Sequence, residues 1–309
     1  MDQETDKVDS MKSHTQNPNH TTLSGEALLD DYVLSHSDPE PDYLHRLWRA
    51  TNIEMLHGRM ASGHLQGRLL KMLVQMIRPR NIIEVGTFSG YSALCMAEGL
   101  ASLLDASSLS PFPPPCPARQ RRESSSQTPL PPHLWTFEIN DEQEPFTRRW
   151  IEGSPWAELV TFIIGDAITE APRIAQKENI TFDMAFLDGD KRTYIETYEA
   201  LLPLMSPGAF ILADNTLWDG HVTDPDYSSD PQTKGIRNFN DHIANDPRVS
   251  KVLLPLRDGL TILRTQTTSI ADSSLFTFHS SLASQRFYRE AVRVQPEAAY
   301  HALACWREI

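Results

Sequence analysis

Short apolar segments alternate with helical segments through the middle of the chain, and this alternation constrains the fold more than any other feature. The segments are rich in Ile, Val, Leu and Phe, as is typical of strands buried on both faces of a sheet. The first runs into a glycine-containing turn and a helix, and a predicted Pro207-Gly208 turn opens the last. Strand–helix alternation of this kind predicts an α/β protein with a doubly wound sheet. The predicted strands are residues 82–85, 134–139, 159–164, 184–187 and 210–213.

A hairpin and a set of upstream helices complete this architecture. Two further predicted strands, residues 252–256 and 260–263, flank the tight turn Arg257-Asp258-Gly259. The hairpin predicts an antiparallel last strand beside otherwise parallel ones. Before the first strand, apolar residues at helical spacing predict three helices, with a break at residues 38–41 and a stop at Pro79.

Composition divides the chain into a domain and three segments of different character. Residues 1–24 have too few apolar side chains to offset the entropy of ordering, so we expect disorder there. Residues 25–265 carry the helix and strand patterns and are predicted to form one domain. Within it, residues 105–133 are dense in Pro, Ser, Gln and Arg and predict a disordered surface insertion. Residues 266–309 form a C-terminal extension of unknown role, either a docked helical cap or a loose appendage.

Charge, cysteines and hydropathy exclude several function classes. The formal net charge of −13 argues against a nucleic-acid partner, which needs a basic surface. Cys95, Cys116 and Cys305 are too scattered for a zinc site or a disulfide framework. No apolar stretch reaches the roughly 18 residues of a membrane span, and the N-terminus lacks a signal-peptide pattern. We therefore expect a cytoplasmic protein without a membrane partner.

Three predicted strand ends carry residues suited to a nucleotide-type cofactor. The first ends in Glu84-Val85-Gly86, with Gly90 before the next helix, and glycines let a backbone approach a ligand closely. This Gly-x-x-x-Gly spacing differs from the Gly-x-Gly-x-x-Gly of dinucleotide sites. Glu138, ending the second strand, suits ribose hydroxyls, and Gly165-Asp166-Ala167 after the third suits an adenine edge. The alternatives are a purely structural turn and a helix-capping role for Asp166.

The ends of the fourth and fifth strands carry hard oxygen ligands. Asp188 follows one strand, and Asp214 and Asn215 follow the next. Neighbouring parallel strands share a carboxyl edge, so these side chains can converge on one point. Two carboxylates and an amide oxygen suit Mg²⁺ or another hard divalent cation, with positions left open for water or substrate. The structural alternative is that the acids cap the helices that follow.

Lys191 is the candidate general base. A lysine beside a divalent cation loses its proton more readily, because neighbouring positive charge disfavours the ammonium form. The alternative is a surface lysine on the following helix.

Taken together, the chain resembles the cation-dependent class I O-methyltransferases, which include the caffeoyl-CoA and catechol O-methyltransferases. The resemblance extends over about residues 28–264, apart from the predicted insertion. It implies a Rossmann-like sheet of seven strands, S-adenosylmethionine as methyl donor, a divalent metal and a homodimer. The segments that carry it are NIIEVGTFSGYSAL, FDMAFLDGDKRTYIETYEALLPLMSPGAFILADNTLWDG and DPRVSKVLLPLRDGLTILR.

The resemblance also implies roles for individual residues. Asp188, Asp214 and Asn215 match the metal ligands, and Lys191 matches the catalytic lysine of the catechol enzymes, beside Asp188. Asp219 departs from the plant enzymes, which carry Asn there, and this puts a plant-like acyl-CoA substrate in doubt. The cofactor contacts are matched by Glu84, Gly86, Thr87, Ser92, Glu138, Ala167, Asp188 and Asp190, and more loosely by Ser62 from an upstream helix.

The resulting hypothesis is a metal-assisted O-methyltransferase acting on a small catechol-type aromatic hydroxyl. In it, the cation binds both oxygens of a vicinal diol, Lys191 accepts one proton, and the phenolate attacks the sulfonium methyl. Tyr194 and Trp218 are candidate walls of the acceptor site, with a core or rim role as the alternative. Two rival functions are a non-catalytic protein that retains the cofactor pocket and an NAD(P)-dependent oxidoreductase on a similar sheet.

Overall fold

The computed structural model describes residues 25–107 and 131–267. The predictions of disorder for residues 1–24, and for most of residues 105–133, and the prediction for the tail beyond residue 267 lie outside the described residues. At the edges of the predicted insertion, one helix continues to Ser107 and one strand begins at His133. Regular structure therefore reaches into both ends of that segment.

The described part of the chain contains eight α-helices, seven 3-10 turns and seven sheet strands. The first helix belongs to a compact unit separate from the one that contains the sheet. The helices are α1 (Gly25–Ser35), α2 (Asp42–Glu54), α3 (His64–Ile77), α4 (Tyr91–Ser107), α5 (Glu144–Glu152), α6 (Ala167–Glu178), α7 (Tyr194–Leu201) and α8 (Pro231–Ala244). The 3-10 turns are Gly58–Met60, Asp141–Gln143, Ala157–Leu159, Lys191–Thr193, Leu202–Leu204, Trp218–Thr223 and Pro225–Tyr227.

The sheet confirms the predicted α/β fold. Its seven strands, all in the described part of the chain, are β1 (Asn81–Val85), β2 (His133–Glu138), β3 (Val160–Ile164), β4 (Phe182–Leu187), β5 (Met205–Asp214), β6 (Val249–Leu254) and β7 (Leu260–Thr265). They lie in the order β3-β2-β1-β4-β5-β7-β6, and the first five in this order are parallel. The last of the described strands, β7, is antiparallel to both of its neighbours, as the hairpin predicts.

Several predicted strand bounds differ from the observed ones by one to five residues, and proline is involved in two of the differences. β6 ends at Leu254 rather than residue 256, because Pro255 has no N–H to donate to a ladder. The Pro207-Gly208 pair lies inside β5 instead of opening it. Gly208 takes a φ of +79° there, and the pairing of β4 with β5 shifts its register at this point.

Alternate strand residues face opposite sides of the sheet, and each side has its own apolar core. Ile82 packs in a cluster with residues of α2, α3 and α4, whereas Ile83 packs with residues of α6, α7 and α8. Both side chains are fully buried. Helices on both faces explain why the strands read as continuous apolar runs. This is the doubly wound arrangement that the sequence predicts.

Register fixes which strand ends lie side by side. Val85 pairs with Phe137 on one side and with Leu187 on the other, and Leu187 pairs with Ala213. The residues that follow these positions therefore emerge level at one edge of the sheet.

Among the described residues, no helix combines the length and the apolar character needed to cross a lipid bilayer.

The packing of α3 against α4 gives a testable prediction. A Cβ at Gly99 would lie 2.8 Å from Cβ of Val74 and 3.0 Å from the Lys71 carbonyl oxygen. We expect Gly99→Ala to destabilise the protein by about 1–3 kcal/mol through overpacking, which outweighs the roughly 1 kcal/mol gained in helix propensity. Denaturant unfolding measures the change.

Gly165→Ala is the matched control. The nearest atom to an added Cβ there is the flexible Glu170 Cγ at 3.3 Å, so the change should stay within about 0.5 kcal/mol. Equal stability of both variants would contradict this account of the α3–α4 contact.

Candidate active site

The turn after β1 lies directly against the end of β4. Gly86 has a φ of +98°, and a Cβ there would lie 2.3 Å from the Asp188 carbonyl oxygen. The Asp188 N–H donates to the Val85 carbonyl at 2.8 Å. Only glycine fits, because the left-handed φ and the neighbouring backbone both exclude a side chain. This contact brings the predicted cofactor turn against the first predicted metal ligand.

Three of the predicted cofactor residues form a buried polar network beneath this turn. The Glu84 carboxylate is fully buried and accepts from Ser92 Oγ at 2.6 Å and Thr136 Oγ1 at 2.5 Å. Thr87 Oγ1 lies 2.6 Å from Thr136 Oγ1. Burial raises the pKa of Glu84 to about 8, although the two hydroxyls oppose the shift. Glu84, Thr87 and Ser92 thus tie β1, β2 and α4 together and support the turn from below.

Glu138 holds the outer part of the same turn. One of its carboxylate oxygens accepts from the Phe88 N–H at 2.8 Å and the other from the Asn140 N–H at 2.9 Å. Phe88 has a left-handed backbone, with φ of +47°, and its carbonyl accepts from Thr147 Oγ1 at 2.5 Å. Because each carboxylate oxygen accepts one backbone N–H, both keep a lone pair for a further donor.

The end of β3 leads into α6 through a capped turn. The Asp166 carboxylate accepts from the Ile168 N–H at 3.0 Å, so the helix-capping alternative for Asp166 is confirmed. Ala167 is the buried first residue of α6. The helix start therefore lies at the same edge of the sheet as Glu138.

Ser62 lies before the start of α3, so the prediction that it belongs to an upstream helix is wrong. Gly63 keeps an extended backbone, with φ of −85° and ψ of 178°, and α3 begins only at His64. Ser62 is 5% exposed in the connection between the Gly58–Met60 turn and α3.

A pocket of about 480 Å³ opens beside the turn after β1. It lies between the segment that follows α2, the turn itself and the start of α5. Its lining includes Leu56, Met60, Phe88, Asn140 and Phe146. Since Phe88 and Asn140 both donate to Glu138, the pocket adjoins the acid that ends β2. Its volume falls in the range of small-ligand sites.

β4 and β5 bring the predicted metal ligands to one edge. Asp188 and Asp214 follow the paired residues Leu187 and Ala213. Asp214 is 5% exposed, and burial, together with the negative charge of Asp188, raises its pKa to about 6. Asn215 follows with a left-handed φ of +56°. Carboxylate and amide oxygens form a donor set that fits a hard divalent cation, and the mutual repulsion of two acids is what a cation would relieve.

Three residues around these acids carry no local sequence signal. The Gln66 Nε2 donates to Asp214 Oδ2 at 2.6 Å, and its Oε1 accepts from Arg257 Nη1 at 2.6 Å. The Asn215 Nδ2 donates to Asp258 Oδ2 at 3.4 Å. Gln66 lies in an ordinary amphipathic helix, while Arg257 and Asp258 read only as a hairpin turn. They are found only when α3 and the β6–β7 turn are placed beside the end of β5.

Lys191 is buried beside Asp188 and is not the surface lysine of the alternative reading. Its Nζ donates to Asp188 Oδ1 and to the Tyr194 hydroxyl oxygen, each at 2.8 Å. Burial lowers the pKa of Lys191, but the charge of Asp188 and the hydrogen bonds to Asp188 and Tyr194 together outweigh it, so the pKa is raised. The expected depression of this pKa presupposes a bound cation and stays a prediction; among the protein's own residues, the negative charge of Asp188 favours the ammonium form.

Asp190 is engaged with its own neighbour Arg192. Its carboxylate accepts from the Arg192 backbone N–H at 3.0 Å and from Nε at 2.9 Å. The guanidinium lowers the pKa of this carboxyl. Asp190 thereby caps the Lys191–Thr193 turn.

Of the two candidate acceptor walls, Tyr194 is a core residue. It is 2% exposed, packs edge-on against Phe239, and its hydroxyl lies 3.0 Å from the Asp214 carbonyl oxygen. Trp218 is half-buried, with its ring centre 5.9 Å from Lys191 Nζ. Only Trp218 keeps exposed surface for an acceptor.

A second acidic group lies away from this edge. Glu199, His242 and Asp246 have ligand atoms within 4.8 Å of one another, in the described part of the chain. The Arg248 guanidinium occupies it, with Nη2 2.5 Å from Glu199 and 2.6 Å from Asp246. This group is an ion-pair network between α7, α8 and the start of β6.

Known proteins resemble this chain over most of its length. The profile of the O-methyltransferase family matches residues 34–103 and 124–266, more than half of the chain. Tricin synthase 1 of Oryza sativa subsp. japonica is 30% identical over 266 residues, covering 82% of this chain and 93% of that protein. Caffeoyl-CoA O-methyltransferase 1 of Arabidopsis thaliana is 28% identical over 269 residues, covering 82% and 92%.

Solved structures show the same fold. An O-methyltransferase from Bacillus cereus, solved with SAH, has a TM-score of 0.63 and 26% identity, covering 79% of this chain and 100% of that one. TomG from Streptomyces achromogenes, solved with SAM, has a TM-score of 0.63 and 25% identity, covering 79% and 99%. The rival reading as an NAD(P)-dependent oxidoreductase finds no support in these relatives. The chain belongs to the O-methyltransferase family.

Proposed function

We propose that this enzyme transfers the methyl group of S-adenosylmethionine to one hydroxyl of a small catechol-type aromatic acceptor, assisted by Mg²⁺ or another hard divalent cation. The observation that carries the proposal is the contact of Gly86 with Asp188. Through this contact, the turn that we propose for the cofactor lies beside Asp188, a proposed metal ligand. A methyl donor and a metal-held acceptor at these two sites would be in contact, as methyl transfer requires.

The strand ends support S-adenosylmethionine as the methyl donor. The Bacillus cereus and Streptomyces achromogenes relatives were solved with SAH and SAM. In this chain, Glu138 has free lone pairs for ribose hydroxyls, and Ala167 starts α6 beside it. The proposed cofactor contacts are Ser62, Glu84, Gly86, Thr87, Ser92, Glu138, Ala167, Asp188 and Asp190, of which Glu84, Thr87 and Ser92 act by supporting the turn.

Asp188, Asp214 and Asn215 would hold the cation. Burial first, and then the negative charge of Asp188, raise the pKa of Asp214, and a cation at this point would stabilise both ionised carboxylates. When bound there, a hard cation would stabilise an ionised hydroxyl and fix both oxygens of a vicinal diol.

Lys191 is the proposed proton acceptor. Asp188 and Tyr194 fix its Nζ, so the amine has a defined position at the metal edge. Asp188 favours the ammonium form, and a base must be neutral. Proton transfer therefore requires a cation bound at the proposed metal site. Its positive charge would offset the charge of Asp188 and lower the pKa of Lys191.

The reaction then balances as a single displacement. The acceptor O–H proton passes to Lys191 Nζ, and the oxygen forms a bond to the methyl carbon. The carbon–sulfur bond breaks, its electron pair stays on sulfur, and the products are a methyl ether and S-adenosylhomocysteine. Asp188 serves this step by holding Lys191 in place.

The relatives' names support an aromatic acceptor, since they include a caffeoyl-CoA O-methyltransferase and a tricin synthase. Asp219 follows Trp218 in sequence and is exposed. Burial is the main cause that raises the pKa of Asp258, and the negative charge of Asp219 raises it further. An acid at this rim disfavours anionic acceptors such as acyl-CoA thioesters.

A homodimer and a cytoplasmic location stay predictions.

Removing divalent metal is expected to abolish methyl transfer, because the acceptor oxygen loses its charge stabilisation. The assay follows labelled methyl from S-adenosylmethionine into a panel of simple catechols, hydroxycinnamates and flavonoids, with Mg²⁺ or with EDTA. SAH binding and the thermal unfolding midpoint should be unchanged in EDTA, and added Mg²⁺ should restore turnover.

Two results would contradict this proposal. Full turnover in EDTA would remove the metal from the mechanism. SAH binding without transfer to any acceptor, with Mg²⁺ present, would favour the non-catalytic alternative.

Replacing the proposed base tests its role separately. Lys191→Met should lower kcat by about 10²–10⁴-fold, the usual contribution of a general base, with little change in the KM for S-adenosylmethionine. Lys191→Arg keeps a cation beside Asp188 but cannot be deprotonated, so it should also lose activity.

Lys234→Met, on the exposed surface of α8, is the matched control and should behave as wild type. SAH binding confirms that each variant is folded. Near wild-type kcat in a folded Lys191→Met variant would rule Lys191 out as the base.

A further inference from the structure

Gln66 links two parts of the molecule that are far apart in sequence. It lies in the first turn of α3 and is 3% exposed. Its amide contacts Arg257 in the β6–β7 turn and Asp214 at the end of β5, both at 2.6 Å. Buried amides with both ends satisfied hold one orientation.

Arg257 decides which orientation the amide takes. A guanidinium has only donors, so the Gln66 oxygen must face Arg257 and its NH₂ must face Asp214. The reverse orientation would set donor against donor at Arg257 and acceptor against acceptor at Asp214.

The turn that carries Arg257 is itself fixed against the end of β5. The Thr216 N–H donates to the Gly259 carbonyl at 3.0 Å, and the Trp218 N–H donates to the Asp258 carbonyl at 3.1 Å. A Cβ at Gly259 would lie 2.6 Å from the Leu217 nitrogen. Arg257 therefore approaches Gln66 from a backbone with little freedom to move.

We propose that Arg257 and Gln66 form a positioning relay that orients the Asp214 carboxylate for cation binding, an inference that rests on the proposed metal site. Gln66 holds Oδ2 of Asp214, while the Asn215 N–H holds Oδ1 at 2.9 Å. Both oxygens are thus fixed, and each keeps a lone pair for a metal. Arg257 and Gln66 touch no reacting atom in this scheme.

The neutral Gln66 amide separates the charges of Arg257 and Asp214, and this separation keeps the carboxylate available to a cation. An arginine paired directly with Asp214 would form a charge-assisted, bidentate contact and compete with a cation for the same lone pairs. Through Gln66, Arg257 orients the carboxylate but leaves its charge available. Hydrogen-bond partners of metal ligands commonly change metal affinity by about 10–100-fold.

The test is the dissociation constant of Mn²⁺, measured by electron paramagnetic resonance on the full-length protein without methyl donor. Gln66→Met keeps the volume but removes both hydrogen bonds, and should weaken Mn²⁺ binding about 10–100-fold. Arg257→Met should weaken it through Gln66 alone, so the double variant should bind no more weakly than Gln66→Met. Arg257→Lys keeps a donor and should restore most of the affinity.

The controls separate positioning from a general loss of structure. Gln75→Met, on the same helix, removes a side-chain hydrogen bond to Ser102 of 2.9 Å and should leave Mn²⁺ binding unchanged. SAH affinity should be the same in all variants. If Gln66→Met does not fold, the exposed Arg257 variants give the same readout.

The outcomes distinguish this relay from the proposed function on which it rests. Wild-type Mn²⁺ affinity in folded Gln66→Met, or additive losses in the double variant, would overturn the relay and leave the metal site standing. A wild-type protein that binds no Mn²⁺ would overturn both.

Discussion

The close contact between the turn after β1 and the end of β4 is the constraint on which the rest of the site depends. Parallel pairing of Val85 with Leu187 sets the two strand ends level, and Gly86 lets them meet without a side chain between them. One strand end then presents the cofactor turn and the other presents Asp188. In the proposed mechanism, a methyl donor on the turn and a metal-held oxygen at Asp188 would therefore be in contact.

Buried polar groups hold this edge in shape. Glu84 sits below the turn, and Lys191 lies beside Asp188, each with its hydrogen-bonding groups satisfied. Such groups are costly to bury without partners, so each network favours one arrangement of its strand ends. The acids at the metal edge are the exception, since Asp188 and Asp214 still repel each other. That unrelieved charge is where a cation would contribute most.

Much of this could be predicted from sequence, because the information is local. A buried strand followed by Asp188, and another followed by Asp214 and Asn215, implies one shared edge once the strands are parallel. The relay from Arg257 to Gln66 could not be predicted, since the two residues are 191 positions apart and Gln66 lies in no motif. Ser62 was misplaced because the extended backbone of Gly63 leaves no pattern. The contacts of Lys191 with Asp188 and Tyr194, which keep its ammonium form favoured among the protein's own residues, also depend on coordinates.

The most direct test of the central claim is anomalous scattering from a crystal grown with Mn²⁺ and SAH. The account predicts a manganese peak about 2.0–2.6 Å from oxygens of Asp188, Asp214 and Asn215, with SAH against the Gly86 turn. A peak at the Glu199, His242 and Asp246 group instead, or SAH remote from Asp188, would contradict it.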